Sequence, residues 1–145
     1  MDTSIYAKLR AGVTTASAAE SQLLAAEFAA ALPPDATLAL HGDLGVGKTT
    51  FVQGLARAFG VTEPVTSPTF TIFTVHHGTR NLVHLDAYRL DRAAQLDSLM
   101  LEDFLTTPYC LAVEWPDNVA KWLPPTTLHL DLGIAADERH TLRLR

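Results

Sequence analysis

Cysteine is almost absent from this chain, and the only one, Cys110, excludes an internal disulfide and a cysteine-based zinc centre. That composition suits a reducing compartment. Basic residues are also scarce: 11 Lys and Arg stand against 16 Asp and Glu, a formal net charge of -5. A domain that grips a nucleic-acid backbone normally carries a basic face, so any nucleic acid is expected to be held by a partner. No apolar run approaches membrane-spanning length, and Met1-Asp2-Thr3-Ser4-Ile5-Tyr6 lacks the basic-then-apolar layout of a signal peptide. A soluble, cytoplasmic protein with no membrane contact is expected. At 145 residues and 48% hydrophobic, the chain has room for one compact domain, 1–145, with a core of its own.

Against these absences stands one dense motif. Gly42-Asp43-Leu44-Gly45-Val46-Gly47-Lys48-Thr49 has the spacing of a phosphate-binding loop, with Thr50 following it. Glycines let backbone N–H groups fold around an anion, Lys48 reaches the β- and γ-phosphates, and the Thr49 hydroxyl can ligate Mg²⁺. Leu38 to His41 reads as a short apolar strand entering the loop, and Thr50 to Phe59 as the helix leaving it. The helix start adds its partial positive charge to the site. Contacts with a nucleotide are therefore expected from Gly42, Asp43, Leu44, Gly45, Val46, Gly47, Lys48, Thr49 and Thr50.

Ser17-Ala18-Ala19-Glu20 has capping-box spacing, and the apolar residues after it recur at helical intervals until Pro33-Pro34. Gly60 is placed to close the helix after the loop. Phe70 to Val75 and Leu82 to Tyr88 are β-rich runs around His76-His77-Gly78-Thr79-Arg80-Asn81, which predicts an antiparallel hairpin. A doubly wound parallel sheet would have a crossover helix there. Ala93 to Leu105 reads as one helix or two short ones, and Leu128 to Leu132 with Thr141 to Arg145 as a last strand pair. The expected fold is α/β: a P-loop NTPase-like three-layer sandwich whose mixed sheet carries antiparallel strands after the P-loop unit.

Two acids complete a candidate site. Glu114 ends the apolar run Cys110 to Val113, where P-loop proteins often place an acidic partner for Mg²⁺. The competing reading is an edge residue facing water. Asp86 closes another apolar run, and strand alternation puts His84, Asp86 and Tyr88 on one face; a half-exposed strand with a polar face is the plainer alternative. Thr66-Ser67-Pro68-Thr69-Phe70 stands where nucleotide switches carry a loop near the γ-phosphate, or is an ordinary connection. Arg89 is either a charge for that phosphate or a structural ion pair. His76, His77, His129 and His140 make no convincing metal set, and His76 and His77 are expected to be solvated in a turn.

In this order, Gly42 to Thr50, Ser67-Pro68-Thr69-Phe70, His84-x-Asp86-x-Tyr88-Arg89 and Glu114-Trp115-Pro116 resemble the TsaE (YjeE) family, over roughly Ser17 to Leu144. That family comprises small bacterial ATPases of tRNA threonylcarbamoyladenosine modification. The resemblance implies Mg²⁺-dependent ATP hydrolysis supporting turnover of a TsaD-like and TsaB-like transferase, with tRNA reached only through that complex. It also implies that Lys48 binds phosphate, Thr49 and Glu114 ligate Mg²⁺, Asp86 is required for hydrolysis and Trp115 supports the site; Lys48, Asp86 and Glu114 are the catalytic candidates. Hydrolysis by the isolated chain is expected to be slow, because the sequence offers no unambiguous arginine finger. A small-molecule kinase and a non-hydrolysing nucleotide-gated adaptor are the alternatives. One departure stands out: where the family commonly has glycine in a Leu-Gly-Ile/Leu segment, this chain has Leu99-Met100-Leu101. If that position needs φ > 0, Met100 is strained.

Overall fold

The computed structural model describes residues 4–43, 45–68, 72–90 and 94–145. Its frame is a seven-stranded mixed sheet formed by β1 (Val13–Thr15), β2 (Asp35–His41), β3 (Phe73–His76), β4 (Asn81–Asp86), β5 (Tyr109–Glu114), β6 (Leu128–Ile134) and β7 (His140–Leu144). The spatial order is β1-β7-β6-β2-β5-β4-β3. The four inner strands β6, β2, β5 and β4 run parallel, whereas β3, β7 and β1 join antiparallel at the flanks. The β3–β4 pair is the hairpin expected after the P-loop unit: Tyr88 lies beyond β4, and Phe70 and Thr71 lie outside the described residues.

Strands β2, β4 and β5 are buried along both faces, whereas β6 alternates. On β2, β4 and β5, Ala36, Leu38, Leu40, Leu82, Cys110 and Ala112 join one core with helices α1 (Ser4–Ala11), α2 (Ala18–Ala30) and α3 (Lys48–Ala58). The alternating residues Val83, Leu85, Leu111 and Val113 join a second core with Leu96, Leu101 and Val119, contributed by α4 (Ala94–Ser98) and two 3-10 turns, Leu101–Phe104 and Pro116–Val119. This is the expected layering. Helix α1 and strand β1, which had no strong local signal, are additions to the expected plan. His76, expected in solvent, is instead buried at the end of β3, where Nδ1 lies 2.8 Å from Glu63 Oε1.

Local chemistry explains the helix ends. Ser17 Oγ accepts the Glu20 N–H at 3.2 Å, and the Glu20 carboxylate reaches back to accept the Ala16 N–H at 2.7 Å, one residue before the usual capping-box target. At the end of α3 the Gly60 N–H donates to Arg57 O and the Val61 N–H to Ala56 O, the two bonds of a Schellman motif. Helices α2 and α3 pack closely because Gly54 has no Cβ: one placed there would meet Gln22 O at 2.5 Å. Between the two short helical pieces of the Ala93 to Leu105 segment, Met100 sits at φ 54 and is exposed. The non-glycine residue therefore occupies the left-handed conformation.

Two predictions follow from this packing. Left-handed backbone destabilises an ordinary residue by about 1–2 kcal/mol, and glycine returns about 0.5–1 kcal/mol of that through the unfolded chain. Met100→Gly should therefore stabilise the protein by about 0.5–1 kcal/mol, read as a higher urea midpoint with an unchanged slope. Cys110 is fully buried, and burial pushes its thiol up to about 12. Labelling by a disulfide reagent at pH 8 should then track unfolding across a urea series; immediate labelling of the native protein would contradict the buried placement.

Candidate functional site

Strand β2 delivers the chain to the carboxyl edge of the sheet, where it turns at Gly42 (φ 146), passes Gly45 (φ 80) and Gly47 (φ 98), and enters α3. A Cβ on Gly42 would lie 2.5 Å from Leu132 O and 2.7 Å from Val46 Cγ2, so side-chain-bearing residues cannot follow this path without displacing β6 or the loop. Among the described residues no side chain caps the start of α3. Its first-turn N–H groups and its dipole are thus available to an anion.

Lys48, at the first position of α3, is 4% exposed. Its ammonium donates to Gly42 O at 2.7 Å and stands 3.8 Å from the centre of the Trp115 ring. Burial lowers its pKa from the ordinary value, while Glu114, Asp86 and Asp43 act in the opposite direction. Two of those acids are set by strand register. Asp86 on β4 is paired with Glu114 on β5, and Glu114 with Leu40 on β2, so both carboxylates reach the same sheet edge beside the loop. Each is buried. Asp86 Oδ1 accepts the Tyr88 N–H at 2.9 Å, and Glu114 Oε2 lies 2.5 Å from His84 Nε2. Beyond Glu114 the backbone turns at Trp115 (φ 57), whose ring packs 5.0 Å from that of Tyr88.

These elements enclose a cleft of about 550 Å³. Gly45, Gly47, Lys48, Thr49 and Thr50 line it from the loop, Asp86 and Glu114 from the strand ends, and Ser67, Tyr88 and Trp115 from the connections. The structure therefore gathers most of the residues expected from the sequence. Gly42 and Asp43 face a neighbouring hollow with His41 and Arg145, and Val46 faces a small pocket behind the loop. Leu44, Thr69 and Phe70 lie outside the described residues. Arg89 is not among the described residues that line the cleft.

One lining residue was missed. His140, at the start of β7, places Nδ1 3.1 Å from Val46 O and packs against Gly47. Its sequence neighbours carry no sign of this, because the contact depends on β7 lying beside β6 and hence near the loop. Thr15 and Ser17, just before α2, have structural partners: the Thr15 hydroxyl is 2.6 Å from that of Ser21, and Ser17 caps the helix.

The donor set fits a nucleotide polyphosphate with a hard cation. Backbone N–H groups and a buried ammonium suit phosphate oxygens, and the Thr49 hydroxyl with buried carboxylates is an all-oxygen set of the kind Mg²⁺ prefers. The same set can offset charge that develops on a transferring phosphoryl group.

Comparison with known proteins agrees with this geometry. A family model described as "Threonylcarbamoyl adenosine biosynthesis protein TsaE" matches residues 15–142. The tRNA threonylcarbamoyladenosine biosynthesis protein TsaE of Treponema pallidum is 37% identical over 106 residues, covering 73% of this chain and 78% of that protein. The Bacillus subtilis protein of the same name is 35% identical over 124 residues, 85% of this chain and 77% of the relative. Among solved structures, the crystal structure of Bacillus subtilis YdiB superposes with a TM-score of 0.75 at 34% identity, covering 90% of this chain and 81% of that one.

The crowding at Gly42 gives a direct test of the loop. Gly42→Ala should lower affinity for a fluorescent ADP analogue by about tenfold or more and reduce stability by about 1–3 kcal/mol, measured by titration and urea denaturation. Unchanged affinity would show that the loop's path does not set binding.

Proposed function

This chain belongs to the TsaE family, and we propose that it serves tRNA threonylcarbamoyladenosine biosynthesis as a small cytoplasmic Mg²⁺-dependent ATPase supporting a TsaD-like and TsaB-like transferase. The observation that carries the reading is the placement of Lys48, at an uncapped helix start, beside two buried carboxylates in register. On this reading the α3 N-terminus and Lys48 receive the β- and γ-phosphates, while Thr49 and Glu114 hold the metal. The chemistry Mg²⁺ supplies when bound is neutralisation of charge on the phosphate oxygens. Asp86 would orient the attacking water or support the residues that would hold the metal.

Phosphoryl transfer needs little covalent help, so positioning and electrostatics provide most of the acceleration. Among the described residues no arginine lines the cleft. That supports slow hydrolysis by the isolated chain and a partner that completes the site. The acidic balance of the chain, -5, supports reaching tRNA through the complex rather than directly.

The test is single-turnover hydrolysis with and without Mg²⁺. Glu114→Ala and Asp86→Asn should each slow Mg²⁺-dependent phosphate release by about 10²-fold, in the range found when a transition-state charge partner is removed. Wild-type rates in both variants would remove the assignment. Inorganic phosphate as the sole phosphorylated product separates this reading from a small-molecule kinase, and mixing with the two transferase subunits should change the rate.

A further inference from the structure

Behind Glu114 stands a histidine that the cleft does not show. His84 is fully buried on β4, and its register partner on β5 is Ala112, two residues before Glu114. Strand alternation puts His84, Asp86, Ala112 and Glu114 on the same face of the sheet, the face covered by α3. The imidazole thus lies one side-chain step deeper than the two acids. Its Nε2 is 2.5 Å from Glu114 Oε2.

The other ring nitrogen decides how this pair is read. Among the described residues, His84 Nδ1 is buried with no hydrogen-bond partner. A histidine serving only to fill the core would be better replaced by an apolar side chain, since an unsatisfied buried polar atom is unfavourable. The polar contact that His84 does make is with Glu114. An orphaned N–H is rarer in proteins than an under-satisfied acceptor, so the pattern puts the ring proton on Nε2, donated to the carboxylate, and leaves Nδ1 as a lone pair.

We propose that His84 is a positioning residue for the metal site: its buried Nε2–H holds Glu114 Oε2 and so fixes the plane of the carboxylate that faces the cleft. One oxygen is then occupied from behind, and the other is presented to a cation whose coordination geometry is demanding. A hydrogen bond behind a ligating side chain commonly governs metal affinity by 10–100-fold. The inference rests on Glu114 being a metal ligand, as proposed above.

The experiment measures how Mg²⁺ promotes binding of a fluorescent ADP analogue to the intact chain. Three replacements are compared with wild type and with Glu114→Ala: His84→Leu, His84→Asn and His84→Gln, the last of which sets an amide N–H near the position of Nε2. His84→Leu should raise the Mg²⁺ midpoint about tenfold or more while changing metal-free nucleotide affinity less than twofold, and His84→Gln should return the midpoint to within about threefold of wild type. Where His84→Leu does not fold, the amides decide: the Asn midpoint should exceed the Gln midpoint, and equal midpoints overturn the proposal. A midpoint raised by Glu114→Ala but not by His84→Leu overturns the role of His84 alone. A midpoint unmoved by Glu114→Ala overturns the metal role of Glu114 and this inference with it.

Discussion

Lys48 is a cation held almost out of water, and the organisation of the sheet edge follows from that constraint. Burial alone pushes its pKa down, toward the loss of the charge a phosphate site needs. The opposing influences are Glu114, Asp86 and Asp43. Two of these acids come from strands distant in sequence, and the parallel register of β2, β5 and β4 brings them level with the loop. Without the acids the ammonium would be an uncompensated buried charge; without the ammonium the two carboxylates would repel across one strand spacing. Each side of the site makes the burial of the other tolerable.

The helical layer serves the same end by fixing the direction of α3. Gly54 allows α2 to lie against it, the Schellman bonds stop it before Val61, and Phe51 and Leu55 bury its inner face. At the other end His140 contacts the Val46 carbonyl and Gly42 fits beneath Leu132. The loop is therefore held by the β6–β7 pair on one side and by its own helix on the other. A loop held in this way would meet any ligand with less ordering still to be done.

Features written in neighbouring residues were legible from the sequence. The glycine-rich turn into α3, the Ser17–Glu20 cap, the β3–β4 hairpin and the acids at the ends of β4 and β5 each have a short-range signature: glycine spacing, capping chemistry, alternation, or an apolar run ending in a carboxylate. The left-handed Met100 was legible through family resemblance, because glycine commonly stands there. What escaped depends on strand order. His84 was placed beside Asp86 by alternation, but its contact with Glu114 and that of His140 with the loop arise only when β4 lies beside β5 and β7 beside β6, separations of 30 and 94 residues. Helix α1 and strand β1 escaped for a related reason: β1 has three residues and gains its stability by pairing with β7 at the far end of the chain.

Backbone strain is placed next to these charges. Trp115 adopts φ 57, a conformation that destabilises an ordinary residue by about 1–2 kcal/mol. The surroundings hold it there: Asn118 Nδ2 donates to the Ala87 and Tyr88 carbonyls, the Tyr88 ring packs on the indole, and the Lys48 ammonium lies over its face. Trp115 and the Gly42 carbonyl thus give Lys48 polar and π partners within the protein. Under the proposed function, an incoming phosphate would compete with those contacts. On that reading the net affinity is a difference between two sets of interactions with the same ammonium, so substitutions at Trp115 would alter both the free and the bound state. The strained turn and the buried lysine form one unit, and the conformation of the first sets the starting point of the second.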